Sequence, residues 1–190
     1  GLGLRELPDL KMVCNVSPED RSTATERLAG FVRPIIVVQA EASVSIRCPS
    51  PERMAALGAL LARLGTVVLM GGAVPCPPDV VDWQGSVGSV GLAAAIIEQA
   101  DVVVGHDSGL THLANALRVP CAALFGPGAP ELRVGGQPTC RPLRLWEYGG
   151  CAEPCKDHRQ KACRRRPVCL ESFPLELVAE AVESVLWPQL

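Results

Sequence analysis

The sequence predicts an α/β protein with a Rossmann-like parallel sheet and flanking helices, and two observations carry this prediction. From residue 33 onward, short apolar runs alternate with helical stretches, which is typical of parallel strands joined by crossover helices. The composition, 48% hydrophobic and 20% charged, belongs to a folded globular protein and not to a disordered one.

The predicted strands are short and continuously apolar, as expected where helices cover both faces of a sheet. Residues 34–39 read PIIVVQ, and the next run, at 66–70, reads TVVLM. Further strands are predicted at 101–104 and 120–125, with a short one near 80–83.

The predicted helices show start signals and one apolar face. Ser50 is a suitable N-cap, Pro51 suits the first helical position and Gly65 suits the end. Between them, Met54, Leu57, Leu61 and Leu64 recur at helical spacing. Other helices are predicted at 18–28, 89–100, 109–118 and 174–186.

Three regions are predicted along the chain. Residues 1–30 are a linker or lead-in segment, and residues 31–150 form the Rossmann-like domain, ending in an irregular connection from 128. Residues 151–190 combine a Cys-rich segment with a C-terminal helix that packs back on the domain. A chain of 190 residues suffices for one domain and a tail.

Charge and cysteine usage narrow the function classes. A formal net charge of −2 argues against nucleic acid as a partner. No apolar run approaches the roughly 18 residues that span a bilayer, and the first residues, GLGLRELPDLK, do not resemble a signal peptide. Nine cysteines, an odd number, favour a reducing compartment. The sequence therefore predicts a cytoplasmic protein.

Ligands of such sheets bind beyond the carboxyl ends of the strands. The loops expected at that edge are 39–47, 71–78, 105–111 and 126–130. The third is the most informative, because a strand there passes through a compact polar turn directly into a helix. The unpaired amides of the first helical turn, together with the helix dipole, form an anion site.

The residues of this turn suit a phosphate. Gly109 has no side chain to obstruct an approaching anion, Ser108 and Thr111 offer hydroxyl donors, and His112 offers an imidazole N–H. Asp107 can hold a sugar hydroxyl or fix the turn. The alternative is structural: Asp107 or Ser108 serves only as an N-cap and His112 is a packed histidine.

Residues 100–127, ADVVVGHDSGLTHLANALRVPCAALFGP, closely resemble the C-terminal donor-binding domain of glycosyltransferase family nine, the lipopolysaccharide heptosyltransferases that use ADP-heptose. The shared pattern is a strand, Asp-Ser-Gly, a His three residues beyond the Gly, an Ala-rich helix, Pro, and a strand ending in Phe-Gly-Pro. The resemblance continues more weakly over 33–99 and in the tail at 169–178.

The resemblance implies one half of a GT-B fold, in which two Rossmann-like halves face a cleft. The C-terminal half binds the nucleotide-diphosphate sugar, and the N-terminal half binds a lipopolysaccharide-type or other glycan acceptor and supplies the general base. The expected reaction is an inverting transfer that needs no cofactor. By resemblance, Asp107, Ser108, Gly109 and His112 contact the donor, whereas the catalytic base is expected in an N-terminal half that this chain lacks.

Two loops depart from the family pattern. A basic residue usually follows the first strand, and here Arg47 is the single cation of the loop, while Glu41 has the wrong sign for a phosphate. An acidic residue usually follows the Gly-Gly of the second strand and holds the ribose. Here Gly72 is followed by AVPCPP, and Asp79 is the nearest acid. Arg47 and Gly72 complete the predicted donor-binding set.

Four cysteines near the C-terminus form a separate candidate site. Cys151, Cys155, Cys163 and Cys169 can hold one structural Zn²⁺; the alternatives are reduced cysteines or a local disulfide. Six cations surround them and suit an anionic acceptor or the inner face of the membrane: Lys156, Arg159, Lys161, Arg164, Arg165 and Arg166.

Two further functions stay open beside the transferase. One is a non-catalytic nucleotide-sugar-binding or interaction module that keeps the fold without the chemistry. The other is a nucleotide-sugar epimerase-like domain, which shares the GT-B fold. Against it, such epimerases place a second Gly and a Glu where this chain has Leu110 and His112.

Overall fold

The computed structural model describes residues 12–42, 47–134, 139–151 and 168–188, and it contains one six-stranded sheet in the order β3-β2-β1-β4-β5-β6. Every pair of neighbouring strands is parallel. The α/β, Rossmann-like fold predicted from the sequence is therefore confirmed. The strands are β1 Ile35–Gln39, β2 Thr66–Met70, β3 Val81–Asp82, β4 Val102–His106, β5 Cys121–Phe125 and β6 Cys140–Arg144.

Helices cover both faces of the sheet. They are α1 Pro18–Leu28, α2 Pro51–Leu61, α3 Val90–Gln99, α4 Gly109–Ala116, α5 Val168–Ser172 and α6 Glu176–Leu186. Within the described residues, none of these helices has the length and apolar character needed to cross a bilayer.

The core consists of two apolar layers, one on each face, because the side chains of a strand alternate between faces. On β1, Ile36 and Val38 point into the layer covered by α2 and α6, and Ile35 and Val37 point into the layer covered by α1, α3 and α4. All four side chains are at most 2% exposed. This burial on both faces explains why the strand reads as an uninterrupted apolar run.

The direction in which successive strands are added to the sheet reverses after β3, which makes the boundary between β1 and β4 a topological switch point. The chain moves from β1 to β2 and β3 on one side, then crosses to β4 on the other side. The loops that follow β1 and β4 therefore diverge, and a crevice opens between them at the carboxyl edge, where ligands of such sheets bind.

Two elements at the C-terminal side differ from expectation. Residues 128–150, predicted as irregular, contain β6, which pairs with β5 in register from Cys121 beside Cys140 onward. Its sequence, CRPLR, carries a proline and two arginines, and an edge strand tolerates both residue types because one side of it forms no ladder. The short helix α5 was also not predicted.

Ser50 occupies the N-cap position of α2, as predicted, but its side chain does not cap the helix. Instead, the Glu171 carboxylate accepts from the Ser50 main-chain N–H at 2.6 Å and from its hydroxyl at 2.9 Å. A carboxylate is stabilised at a helix N-terminus by the helix dipole. Helix α5 thereby fastens the C-terminal segment to α2.

Helix α1, in the segment predicted as a lead-in, packs on α3. Ala24 and Leu28 are buried in the same core layer as the apolar residues of α3. Arg21 forms an ion pair with Glu98 at 2.6 Å. This segment thus adds a helix to the packed structure, while the boundary at residue 31 stays a prediction.

Candidate functional site

The N-terminus of α4 lies open at the carboxyl edge of the sheet. Strand β4 ends at His106, and Gly109 begins the helix three residues later. Ser108 is the N-cap residue, yet its side chain forms no capping hydrogen bond. Gly109 is exposed, and a methyl group added to it would meet no atom within 4 Å. The amides of the first turn therefore face open space, as an anion site requires.

Thr111 does not offer its hydroxyl to this space. Its side chain is 1% exposed, and its Oγ1 donates to the main-chain oxygen of His106 at 2.6 Å. Thr111 also lies against Gly105, where any side chain would collide with Thr111 Oγ1. The structure contradicts the expectation that this hydroxyl donates to a phosphate, because its proton is already used to fix the turn.

Gln39, the last residue of β1, links the two strands at the switch point. The Ser108 hydroxyl donates to Gln39 Oε1, and Gln39 Nε2 donates to the main-chain oxygen of Glu41 at 2.8 Å. The imidazole Nε2 of His106 lies 3.1 Å from the main-chain oxygen of Gln39. This chain of hydrogen bonds sets the distance between the loops after β1 and β4 and so fixes the width of the crevice.

His106 is a buried neutral histidine that the sequence analysis did not single out. It is fully buried, and desolvation lowers its pKa to about 4 despite the opposing effect of the Gln39 carbonyl. A neutral ring that donates from Nε2 leaves Nδ1 as an acceptor, and Nδ1 has no partner among the described residues. Its role is to join β4 to β1 beneath the site.

Asp107 lies between two arginines. Its Oδ2 is 3.6 Å from Arg47 Nη1, and its Oδ1 is 3.7 Å from Arg133 Nε. Arg47 Nη1 also donates to the main-chain oxygen of Asp107 at 3.1 Å. The Asp107 side chain is 8% exposed, whereas Arg133 is 40% exposed and Arg47 is 23% exposed. Two guanidiniums around one carboxylate leave a positive charge beside the amides of α4.

Arg133 was missed by the sequence analysis. It follows the loop 126–130 that was expected at the ligand edge, but it lies three residues beyond that loop, in a turn that the sequence does not mark. Arg47, the predicted cation of the first loop, does reach the site. Gly128 shows how tightly the last loop approaches, because a methyl group there would lie 3.1 Å from Asp107 Oδ2.

His112 and Gly72 complete the predicted set. His112 is half-buried on α4, and its imidazole forms no hydrogen bond or ion pair with the described residues. Gly72 adopts a positive φ of 95°, and a methyl group there would lie 2.5 Å from Glu41 Cβ. Gly72 is thus required by the close approach of the loops after β1 and β2.

An apolar cavity of about 340 Å³ adjoins α4. Its lining residues include Leu110 of α4, Met70 and Gly71 at the end of β2, and Trp83 and Val87. A cavity of this size and apolar lining, next to a cationic helix N-terminus, suits a flat heterocycle attached to an anion.

The four cysteines are only partly described. Cys151 is half-buried against the core, and Cys169 is buried, with Gly149 packed on it. Cys155 and Cys163 lie outside the described residues, as do the six surrounding cations. Within the described part of the chain, no group of three or more His, Cys, Asp or Glu residues is placed to hold a metal ion.

The comparisons agree with this fold and motif. Residues 89–163 match the family model of glycosyltransferase family 9 (heptosyltransferase). A family 9 glycosyl transferase from Veillonella parvula is 19% identical over 99% of this chain and 57% of its own, with a TM-score of 0.79. E. coli ADP-heptose LPS heptosyltransferase II is 21% identical over 96% of this chain and 56% of its own, with a TM-score of 0.73.

E. coli heptosyltransferase WaaC, solved with ADP, is 19% identical over 87% of this chain and 48% of its own, with a TM-score of 0.60. The chain thus spans about half the length of these three structures. No curated protein sequence matches it. At these identities the structures show a shared fold, and the motif match comes from the family model. The resemblance predicted from residues 100–127 is therefore confirmed, because residues 89–163 match the model of glycosyltransferase family 9 (heptosyltransferase).

Proposed function

We propose that this chain binds a nucleoside diphosphate sugar of the ADP-heptose type and acts as the donor half of a GT-B glycosyltransferase. The observation that carries the proposal is the open N-terminus of α4, with Arg47 and Arg133 on one side and the apolar cavity on the other. Two structures with the same fold support it: E. coli heptosyltransferase II is named for ADP-heptose, and E. coli WaaC was solved with ADP.

In this proposal the diphosphate lies against the first turn of α4. The amides of Gly109 and Leu110 point at it, and the two guanidiniums offset its charge. His112 lies one turn in and donates from its imidazole. During transfer the bond between the anomeric carbon and the diphosphate oxygen breaks, and the negative charge on the leaving group grows. Donors that are already in place stabilise that charge without reorganisation.

The base of the nucleotide occupies the apolar cavity. Leu110 contributes to the cavity while its neighbour Gly109 opens the anion site, so the two subsites are contiguous. Asp107 acts as a positioning residue in this arrangement, because its carboxylate is nearly buried between the two arginines that it orients.

The acceptor is a lipopolysaccharide-type or other glycan, and it binds to a second, N-terminal GT-B half. Its hydroxyl oxygen attacks the anomeric carbon, and its proton passes to a base in that half. The chain contributes donor binding and leaving-group stabilisation, in the cytoplasm, for lipopolysaccharide biosynthesis. The proposal rests on the resemblance and on the geometry of the donor side.

Calorimetric titration of the 190-residue chain with ADP, GDP and UDP tests donor binding. We expect at least one diphosphate to bind with a Kd below millimolar, and AMP to bind about tenfold more weakly because it lacks the phosphate that the arginines face. Arg133→Ala is expected to weaken binding about tenfold. Arg63→Ala, which removes an exposed arginine beyond the end of α2, is the matched control.

If none of the three diphosphates binds at millimolar concentration, the chain is a non-catalytic module that has kept only the fold. If binding occurs but Arg133→Ala and Arg63→Ala behave alike, the site lies elsewhere on the molecule.

We also propose that Cys151, Cys155, Cys163 and Cys169 hold a structural Zn²⁺. The support is their number and spacing, together with Cys151 and Cys169 packing against the same core. Elemental analysis of the purified chain should find about one zinc per chain. Cys155→Ser combined with Cys163→Ser should abolish it, and a wild-type chain without bound metal under reducing conditions would refute the site.

A further inference from the structure

Two cysteines lie side by side on the last two strands of the sheet. Cys121 begins β5 and Cys140 begins β6, and the two are partners in the parallel register of these strands. Both pack against the apolar layer covered by α1, α3 and α4, so their side chains leave the sheet on the same face. Neither is bridged to another cysteine. They belong neither to the candidate donor site nor to the four-cysteine segment near the C-terminus.

The spacing of the two positions suits a disulfide bond. Neighbouring strands lie about 4.8 Å apart, and the Cα atoms of bridged cysteines are usually about 4.4–6.8 Å apart. A bridge here therefore needs rotation of the side chains and no large displacement of the backbone. It would close the segment 121–140 into a ring, and this ring contains Arg133 of the candidate donor site.

Asn115 of α4 lies against this pair and has an unused hydrogen-bond donor. It is 4% exposed, and its Oδ1 accepts from the Cys121 thiol at 3.7 Å. Its Nδ2 is buried without a hydrogen-bond partner among the described residues. A buried amide without a partner is costly, so a negative charge on a neighbouring sulfur is stabilised by the donor that it pairs with.

Cys140 is the member of the pair that ionises more readily. A hydrogen bond from the Cys121 thiol lowers the pKa of Cys140, desolvation opposes this effect, and the Asn115 amide lowers the pKa further. The same contact between the sulfurs, together with burial, raises the pKa of Cys121. Cys140 is half-buried on the edge strand, whereas Cys121 is fully buried. A partly exposed, readily ionised thiol beside a second thiol is typical of redox-sensing cysteines.

We infer that Cys140 is a peroxide-reactive cysteine and that Cys121 is the resolving cysteine that closes a disulfide with it. The Cys140 thiolate attacks hydrogen peroxide and the O–O bond breaks. Cys140 becomes a sulfenic acid, and the departing hydroxide takes up a proton to form water. The sulfur of Cys121 then attacks the sulfur of Cys140, and the S–O bond breaks. The hydroxyl leaves with the Cys121 proton as a second water, so two electrons pass from the two sulfurs to the peroxide.

A thiol reductant reverses the reaction, so the bridge is transient in a reducing compartment. The inference does not depend on donor binding, because it concerns the amino ends of β5 and β6 and needs no nucleotide.

Tryptic peptide mapping of the reduced 190-residue chain, before and after treatment with hydrogen peroxide, tests the inference. Trypsin separates the two cysteines because Arg133 lies between them. Wild type should yield a linked pair of peptides, about 2 Da lighter than the two peptides together, and dithiothreitol should release them. In Cys121→Ser the product should instead be a sulfenic acid at Cys140, captured by dimedone. Cys14→Ser replaces another half-buried cysteine and should leave the bridge unchanged.

Asn115→Leu tests the role of the amide. Without this donor the thiolate is less stabilised, and the linked peptides should form about tenfold more slowly in samples quenched over time. An unchanged rate in a folded Asn115→Leu protein would exclude this role. Failure of wild type to form the linked peptides, or capture of the sulfenic acid at Cys121 and not at Cys140, would overturn the assignment of the pair. The map of wild type needs no variant, so it decides the question even if a buried substitution prevents folding.

Discussion

Arg47 Nη1 donates to the main-chain oxygen of Asp107 at 3.1 Å and lies 3.6 Å from the carboxylate oxygen Oδ2 of the same residue. This double contact joins the loop after β1 to the turn before α4. A carboxylate held between two cations orients them, so in the proposed donor site Asp107 is a positioning residue and not a phosphate ligand.

Asp107→Ala should weaken ADP binding about tenfold in calorimetric titration. Without the carboxylate, Arg47 and Arg133 repel each other and lose the orientation that faces the first turn of α4. Asp107→Asn keeps the size and the acceptor oxygen, so its loss should be smaller. A tighter complex in either variant would mean that Asp107 merely repels the diphosphate, and its role as a positioning residue would be wrong.

His106 should make folding stability depend on pH between about 5 and 7. Its pKa is about 4 in the folded protein and about 6.5 when unfolded. The unfolded chain therefore binds more protons in this window, and stability falls as the pH decreases below 6.5. For this group alone the free energy of unfolding should be about 2 kcal/mol lower at pH 5 than at pH 7.5.

Urea denaturation of wild type and His106→Gln at both pH values measures this contribution. The glutamine variant does not titrate here, so its difference between the two pH values should be smaller by about that amount. Equal differences in the two proteins would show that the imidazole is accessible to protons in the folded state.

Thr111→Val should lower the free energy of unfolding by about 1 kcal/mol and leave the ADP affinity unchanged within about twofold. The hydroxyl bonds to the His106 carbonyl inside the turn, and valine has nearly the same shape without that donor. Thr111→Ser retains the donor and is the control. A large loss of ADP affinity in a Thr111→Val protein of normal stability would instead show that the hydroxyl contacts the nucleotide.

Gly109→Ala and Gly105→Ala should differ in their effects on the stability of the fold. At Gly109 the new methyl group meets no protein atom, so the melting temperature should stay the same or rise slightly, because alanine favours the helix. ADP affinity should nevertheless fall severalfold, because the methyl group occupies the approach to the amides. At Gly105 the methyl group would collide with Thr111 Oγ1, so we expect destabilisation of about 2 kcal/mol.

Thermal denaturation and calorimetric titration of the two glycine variants together measure these effects. Unchanged ADP binding by a folded Gly109→Ala protein would place the diphosphate away from α4.

The sequence predicted the sheet well because its signals are local. The apolar runs of β1 and β2, and the passage from β4 through Asp107 and Ser108 into α4, follow from alternation, capping and glycine placement. The edge strand β6 carries no such pattern, since its arginines and proline are those of a loop. Its pairing depends on β5, where the partner of Cys140 is Cys121, 19 residues earlier in the chain.

The positions of the candidate residues could be predicted from the sequence better than their contacts could. The loops at the carboxyl edge follow from the parallel sheet, so Asp107, Gly109 and Arg47 could be placed in advance. The direction of a hydroxyl group cannot be predicted from the sequence, which is why Thr111 was expected to donate to the ligand. Arg133 reaches Asp107 through a turn formed by packing, and Gly72, which packs against Glu41, lies on another loop. Contacts between separate loops leave no trace in the local pattern.

The bond between Glu171 and Ser50 has a practical consequence for anyone who shortens this protein. A chain cut before residue 168 would withdraw the anion from the start of α2 and would uncover the apolar layer that α6 shields. Residues 168–186 are therefore needed to keep this apolar layer covered. Affinity tags and fusions are better placed beyond the last helix than used to replace it.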